Sequence, residues 1–169
     1  MSDERTRQNF LNDEPWDDVN DDVNLRTRVF WRPDPDDRPG AVQFGASLYE
    51  LLPGSLGMKL HMHYGSEEMF FVLSGRPTLR KAEGEEQLSP GDVVYCPEGR
   101  EGLHTFTNPT DEPARILAVS AGRFPDVVAY PEQGIAWVAT RDPDYPAPPD
   151  GDAGVIARFE LGTGRQDSD

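Results

Sequence analysis

The residues of this chain best suited to chemistry are its three histidines, His61, His63 and His104, together with Glu68. All four fall in two stretches, GMKLHMHYGSEEMFFVLSG from Gly57 to Gly75 and GDVVYCPEGREGLHTFTN from Gly91 to Asn108. Imidazole nitrogens and a carboxylate oxygen are the donors a divalent transition metal prefers. Nitrogen-rich sets suit iron, nickel, copper and zinc, and the carboxylate keeps manganese open. A histidine taken alone usually ligates nothing. Here every histidine of the chain is involved, two of them on alternate residues, with glycine turns beside each group.

That chemistry dictates the elements around it. Residues i and i+2 of a strand point to one face, so a strand over Gly57–His63 aims His61 and His63 at one point, where a helix would splay them. A hairpin through Tyr64-Gly65-Ser66-Glu67 into the apolar run Met69–Leu73 would bring Glu68 back beside the imidazoles. His104 would close the set from a later strand. The same parity turns Lys59 inward with His61 and His63, Phe70 and Val72 inward with Glu68, and Phe106 and Asn108 inward with His104.

The expected pocket wall is therefore Phe70, Val72, Phe106 and Asn108, an apolar surround typical of a small-molecule site. Lys59 is a candidate anchor for a substrate carboxylate or enediolate, the plainer reading being a strand-end lysine reaching water. Tyr64 and Tyr95 are candidate phenol proton donors, against ordinary packing at the core or rim. Asn108 is expected to tie its loop by hydrogen bonds. Cys96 reads as a small buried residue.

The two stretches resemble the paired motifs of the cupin superfamily. The first runs His61, one residue, His63, four residues, Glu68, six residues, Gly75; the second runs Gly91, five residues, Pro97-Glu98-Gly99, then His104, three residues, Asn108. Fifteen residues, Arg76 to Pro90, separate them, the short spacer of small bacterial cupins. The chain departs from the pattern twice. Gly57 stands close before His61, and four residues rather than two separate Gly99 from His104. The resemblance implies a jelly-roll barrel (a double-stranded β-helix), a homodimer, and one divalent metal held by His61, His63, Glu68 and His104. The spacing to Gly75 selects Glu68 over its neighbour Glu67.

Composition bounds the rest. The 169 residues carry 31 acidic and 16 basic side chains, a formal charge of −15. Such a surface repels phosphate backbones, so neither nucleic acid nor an anionic membrane is an expected partner. A salt-adapted cytosol selects this acidic, lysine-poor composition, and an arginine-rich codon bias leaves a similar one. A single cysteine excludes an intrachain disulfide. The opening MSDERTRQNFLNDEPW has no apolar signal core, and no run reaches the roughly 20 apolar residues of a membrane helix. A cytoplasmic protein is expected.

Short β-rich runs separated by glycine and proline turns predict an all-β sandwich or barrel. Strands are expected at Leu25–Trp31, Val42–Leu52, Gly57–His63, Glu68–Leu73, Thr78–Ala82, Gln87–Leu88, Val93–Cys96, His104–Asn108, Ala114–Ser120, Val127–Tyr130, Ile135–Thr140 and Val155–Leu161. His104–Asn108 and Ala114–Ser120 should pair around Pro109-Thr110-Asp111-Glu112. The division is an N-terminal arm at 1–24, either frayed and disordered or holding a short helix around Arg7–Leu11, a barrel at 25–140, and a proline- and aspartate-rich tail at 141–169. Leu25–Trp31 and Ile135–Thr140 are where a dimer contact is expected.

The functional expectation is a metal-dependent enzyme acting on a small oxygen-rich molecule, with a dioxygenase (an oxidoreductase) ahead of an isomerase, lyase or decarboxylase. The alternative is a non-catalytic sensor or storage module that binds a small ligand. A structural barrel with relic histidines comes last. Fold does not choose among these.

Overall fold

The computed structural model describes residues 9, 15–31, 44–122, 124–140 and 155–162. The expected helix at Arg7–Leu11 (Asn9 apart), the turn-rich Pro33–Gly40 and the proline-rich spacer Asp142–Asp152 lie outside them. In chain order the strands are β1 (Asp18–Asn20), β2 (Leu25–Trp31), β3 (Phe44–Leu51), β4 (Met62–His63), β5 (Ser66–Ser74), β6 (Thr78–Lys81), β7 (Gly84–Gln87), β8 (Val93–Cys96), β9 (Thr105–Thr107), β10 (Ala114–Gly122), β11 (Asp126–Tyr130), β12 (Ile135–Ala139) and β13 (Val155–Glu160). Among the described residues, a 3₁₀ turn at Arg100–Gly102 interrupts them.

The strands form a jelly-roll barrel. One wall is a six-stranded sheet in the order β1-β2-β3-β10-β5-β8; the other consists of β7-β6-β9 and β13-β12-β11-β4. Every neighbouring pair is antiparallel. Alternation along β5 sets the inside from the outside: Phe70 and Val72 are buried, whereas Glu67 and Met69 are exposed. With Leu51, Leu79, Phe106 and Ile116 they build the main core between the walls. A smaller apolar cluster, Met62, Ala129 and Ala136, sits under the C-terminal sheet.

Two expectations are corrected. The run Gly57–His63 is not a strand; only Met62–His63 is. Gly57 has φ +64°, and a Cβ there would lie 1.7 Å from the Phe106 carbonyl oxygen. That left-handed backbone, packed against its neighbour, cannot be extended strand. Nor do His104–Asn108 and Ala114–Ser120 pair with each other. β9 joins β6, while β10 lies between β3 and β5 in the opposite wall. β13, where Val155–Leu161 was expected to be a strand, covers the edge of β12.

Candidate metal centre

His61 and His104 face each other across the barrel wall. Each donates its backbone N–H to the other's carbonyl, at 3.1 and 2.9 Å, and this isolated bridge holds their rings 4.5 Å apart. His63 follows on β4, its ring 5.1 Å from that of His61. Glu68 arrives from β5 in the other wall, opposite Cys96 of β8 and Ser120 of β10. The anticipated β4–β5 hairpin does not form. β4 pairs with β11 instead, and the carboxylate meets the imidazoles because the walls face one another.

The rings are oriented by the nitrogen that faces away from the centre. His61 Nδ1 lies 2.8 Å from the Lys59 carbonyl, His104 Nδ1 lies 2.7 Å from the Gly102 carbonyl, and His63 Nδ1 lies 2.6 Å from Asp126 Oδ2. A carbonyl or carboxylate oxygen only accepts, so each Nδ1 carries the proton. Once its Nε2 is free of a proton, each ring presents that nitrogen's lone pair to the centre. His104 Nε2 stands 3.2 Å and His63 Nε2 3.5 Å from the same atom, Glu68 Oε2.

Those atoms fit a cation. Glu68 Oε2 and His104 Nε2 are both buried, and neither makes a hydrogen bond; orphaned buried polar atoms are costly. Donor atoms of His61, Glu68 and His104 all lie within 4.8 Å of one another. Donors bonded to one ion at about 2.0–2.2 Å stand no more than about 4.4 Å apart, so a slight inward shift would close the shell. A divalent ion would satisfy both orphans at once.

The electrostatics agree. Burial, then the charges of His104 and His63, lower the His61 pKa to about 4, keeping it neutral. Burial alone would depress His104, but the adjacent Cys96 thiol and Glu68 carboxylate outweigh it and raise the pKa to about 10. Burial would raise Glu68, yet the surrounding imidazoles hold it below the usual carboxylate value. Without a metal, these shifts favour a protonated His104 beside an ionised Glu68, a positive charge that a bound cation would replace.

Of the other anticipated residues, Phe70, Val72 and Phe106 are buried, the two phenylalanine rings standing 4.9 and 6.0 Å from that of His104. Asn108 is not pocket wall. It is fully buried and spends its amide on the Leu51 and Glu112 carbonyls and on Thr110. Lys59 is exposed, because the segment before His61 is not extended and parity does not carry back to it. Tyr64 and Tyr95 are also exposed, at 50% and 49%. Tyr95 lies on the outer face of β8, where its hydroxyl donates to Glu67 Oε1 at 2.7 Å. Glu68 turns inward and Glu67 outward, as alternation requires.

Three residues near the centre escaped the sequence reading. Asp126, at the start of β11, holds His63. Tyr130, on the same face four residues later, lies over His61. Tyr49 on β3 is close enough that burial, then the Glu68 charge, push its phenol pKa well up. The usable signal was an acid at the same parity as Val128 and Tyr130 in a strand that buries that face.

Comparison with known proteins agrees with this architecture. Residues 47–120 match the family model for the cupin domain. An uncharacterized protein of Methanocaldococcus jannaschii is 33% identical over 61 residues, covering 36% of this chain and 47% of that protein, so the match spans about half of the relative's length. A sugar phosphate isomerase of the cupin superfamily from Silicibacter pomeroyi is 29% identical with a TM-score of 0.59, covering 72% of this chain and 69% of that one. The polyketide cyclase RemF from Streptomyces resistomycificus is 25% identical with a TM-score of 0.50, covering 61% and 69%. No helix among the described residues is long and apolar enough to cross a membrane. The barrel, the motif residues and the domain match thus agree on a cupin-type domain over residues 47–120.

Proposed function

We propose that the chain is a metal-dependent enzyme that shifts a proton within a small, oxygen-rich carbonyl compound, an isomerase-type reaction. His61, His63, Glu68 and His104 together hold one divalent ion. The observation that carries this reading is the arrangement of the imidazoles, each tied through Nδ1, around a Glu68 oxygen that has no hydrogen bond. A divalent ion bound there supplies Lewis acidity to a carbonyl oxygen.

The chain's own residues do the rest. Phe70 and Phe106 close the floor behind His104 and exclude water. Tyr49 keeps its proton at neutral pH, since burial and the Glu68 charge both hold it on. Likeness to a sugar phosphate isomerase at 29% identity supports proton transfer over oxygen insertion. The phosphate is not carried over. A chain of formal charge −15 with Lys59 in solvent is better matched to an uncharged polyhydroxy carbonyl.

The test is proton exchange. Metal-loaded protein is incubated with a panel of aldoses and ketoses in D₂O, and deuterium uptake beside the carbonyl is followed by NMR. Uptake that disappears in Glu68→Gln is expected. Oxygen consumption by the iron-loaded protein without uptake would replace this reading with a dioxygenase. Ligand-induced thermal stabilisation without turnover would replace it with a binding module.

A further inference from the structure

Two histidines of the centre are oriented by the same local device. His61 donates from Nδ1 to the carbonyl two residues before it, Lys59, and His104 to the carbonyl two residues before it, Gly102. His63 departs from that pattern. The carbonyl two residues before it belongs to His61 and already accepts the His104 backbone N–H at 2.9 Å. His63 turns instead to Asp126, six residues beyond the end of the matched cupin domain.

Asp126 is 3% exposed and both of its oxygens are engaged. Oδ2 accepts from His63 Nδ1 at 2.6 Å, and Oδ1 accepts the Gly65 backbone N–H at 2.7 Å. The β11–β4 register, Val128 opposite His63 and Ala129 opposite Met62, holds the carboxylate at the end of β4. Tyr64 N–H adds a bond to the Val127 carbonyl at 3.0 Å. A carboxylate behind an imidazole fixes its tautomer and orientation and raises its basicity toward a metal.

We infer that Asp126 is a positioning residue, supplied by the C-terminal sheet, that completes the metal centre by fixing the His63 ring. The inference rests on the reading of His63 as a ligand. Zinc affinity is measured by chelator competition, and the cobalt(II) d–d spectrum is recorded, for wild type, Asp126→Asn, His63→Ala and the double variant. Asp126→Asn is expected to bind about 10–100-fold more weakly with an altered cobalt spectrum, and the double variant to bind no more weakly than His63→Ala, since residues acting through one another are non-additive.

Wild-type affinity and spectrum in Asp126→Asn, or losses that add in the double variant, would overturn the inference while leaving the metal centre standing. Wild type that takes up no zinc or cobalt would overturn both. If Asp126→Asn does not fold, ¹⁵N NMR of the His63 ring in zinc-loaded wild type decides. A proton on Nδ1 and metal on Nε2 is expected; a proton on Nε2 would overturn the assignment.

Discussion

The ring of Tyr130 lies over the ring of His61, with centroids 5.8 Å apart and planes 22° from parallel. Tyr130 in turn meets Trp137 at 4.8 Å, and the Arg158 guanidinium sits 4.8 Å above the Trp137 ring. This ladder crosses β11, β12 and β13 and ends on a candidate metal ligand. The C-terminal sheet thus packs directly against the centre as part of its wall.

Removing the middle of that ladder should cost stability. Buried aromatic-to-alanine changes typically cost about 3–5 kcal/mol, and Tyr130 is only partly buried. Tyr130→Ala is expected to lose about 2 kcal/mol, or roughly 4–8 °C in Tm for a chain of this size. Tyr130→Phe should keep most of it. Thermal denaturation of both variants checks the pair; equal losses would place the effect in the hydroxyl and not in the stacked ring.

Asn108 makes a separate prediction about structure without chemistry. Its side chain bonds the Leu51 and Glu112 carbonyls and the Thr110 N–H and hydroxyl. Asn108→Ala leaves buried groups unpaired at about 1–3 kcal/mol each, so a loss of roughly 3 kcal/mol is expected. Metal stoichiometry should not change. Elemental analysis beside a denaturant titration separates the two; metal loss in a folded variant would return Asn108 to the site.

The pH dependence should differ with and without metal. His104, raised to about 10, stabilises the metal-free fold fully below its ordinary value near 6.5, and that contribution is lost as pH rises through about 10. His61, lowered to about 4, contributes fully above 6.5, and that contribution is lost as pH falls toward 4. From these two groups the metal-free chain is most stable near pH 6.5. Metal on His104 Nε2 displaces its proton, so about one proton per ion should be released at pH 8. Calorimetry in buffers of different ionisation enthalpy measures it; no release would mean that His104 is neutral or does not ligate.

The legible and illegible parts of the site divide by distance along the chain. Alternation in Glu68, Phe70 and Val72 is a local property of one strand, so their inward face could be read directly. His61 and His104 could be paired through their motifs, although the contact itself is a two-residue bridge and not a hairpin. Lys59 was misplaced because the strand is only Met62–His63, so the parity count does not carry back through the segment before it. Tyr95 was misplaced because its strand turns Cys96, and not the phenol, toward Glu68. Asp126 could be placed on the buried face of its strand by parity, but its partner could not be read. Its role depends on β11 pairing with β4 some sixty residues earlier, and no local pattern encodes which strand a solitary acid will face.

The most direct test is the metal content of protein purified without an affinity tag, before and after incubation with zinc, manganese, iron or nickel. One ion per chain is expected in the wild type, with near-background content in folded Glu68→Gln and His104→Ala. A wild type that takes up none of these ions, or a His104→Ala variant that still binds one ion per chain with undiminished affinity, would contradict the account.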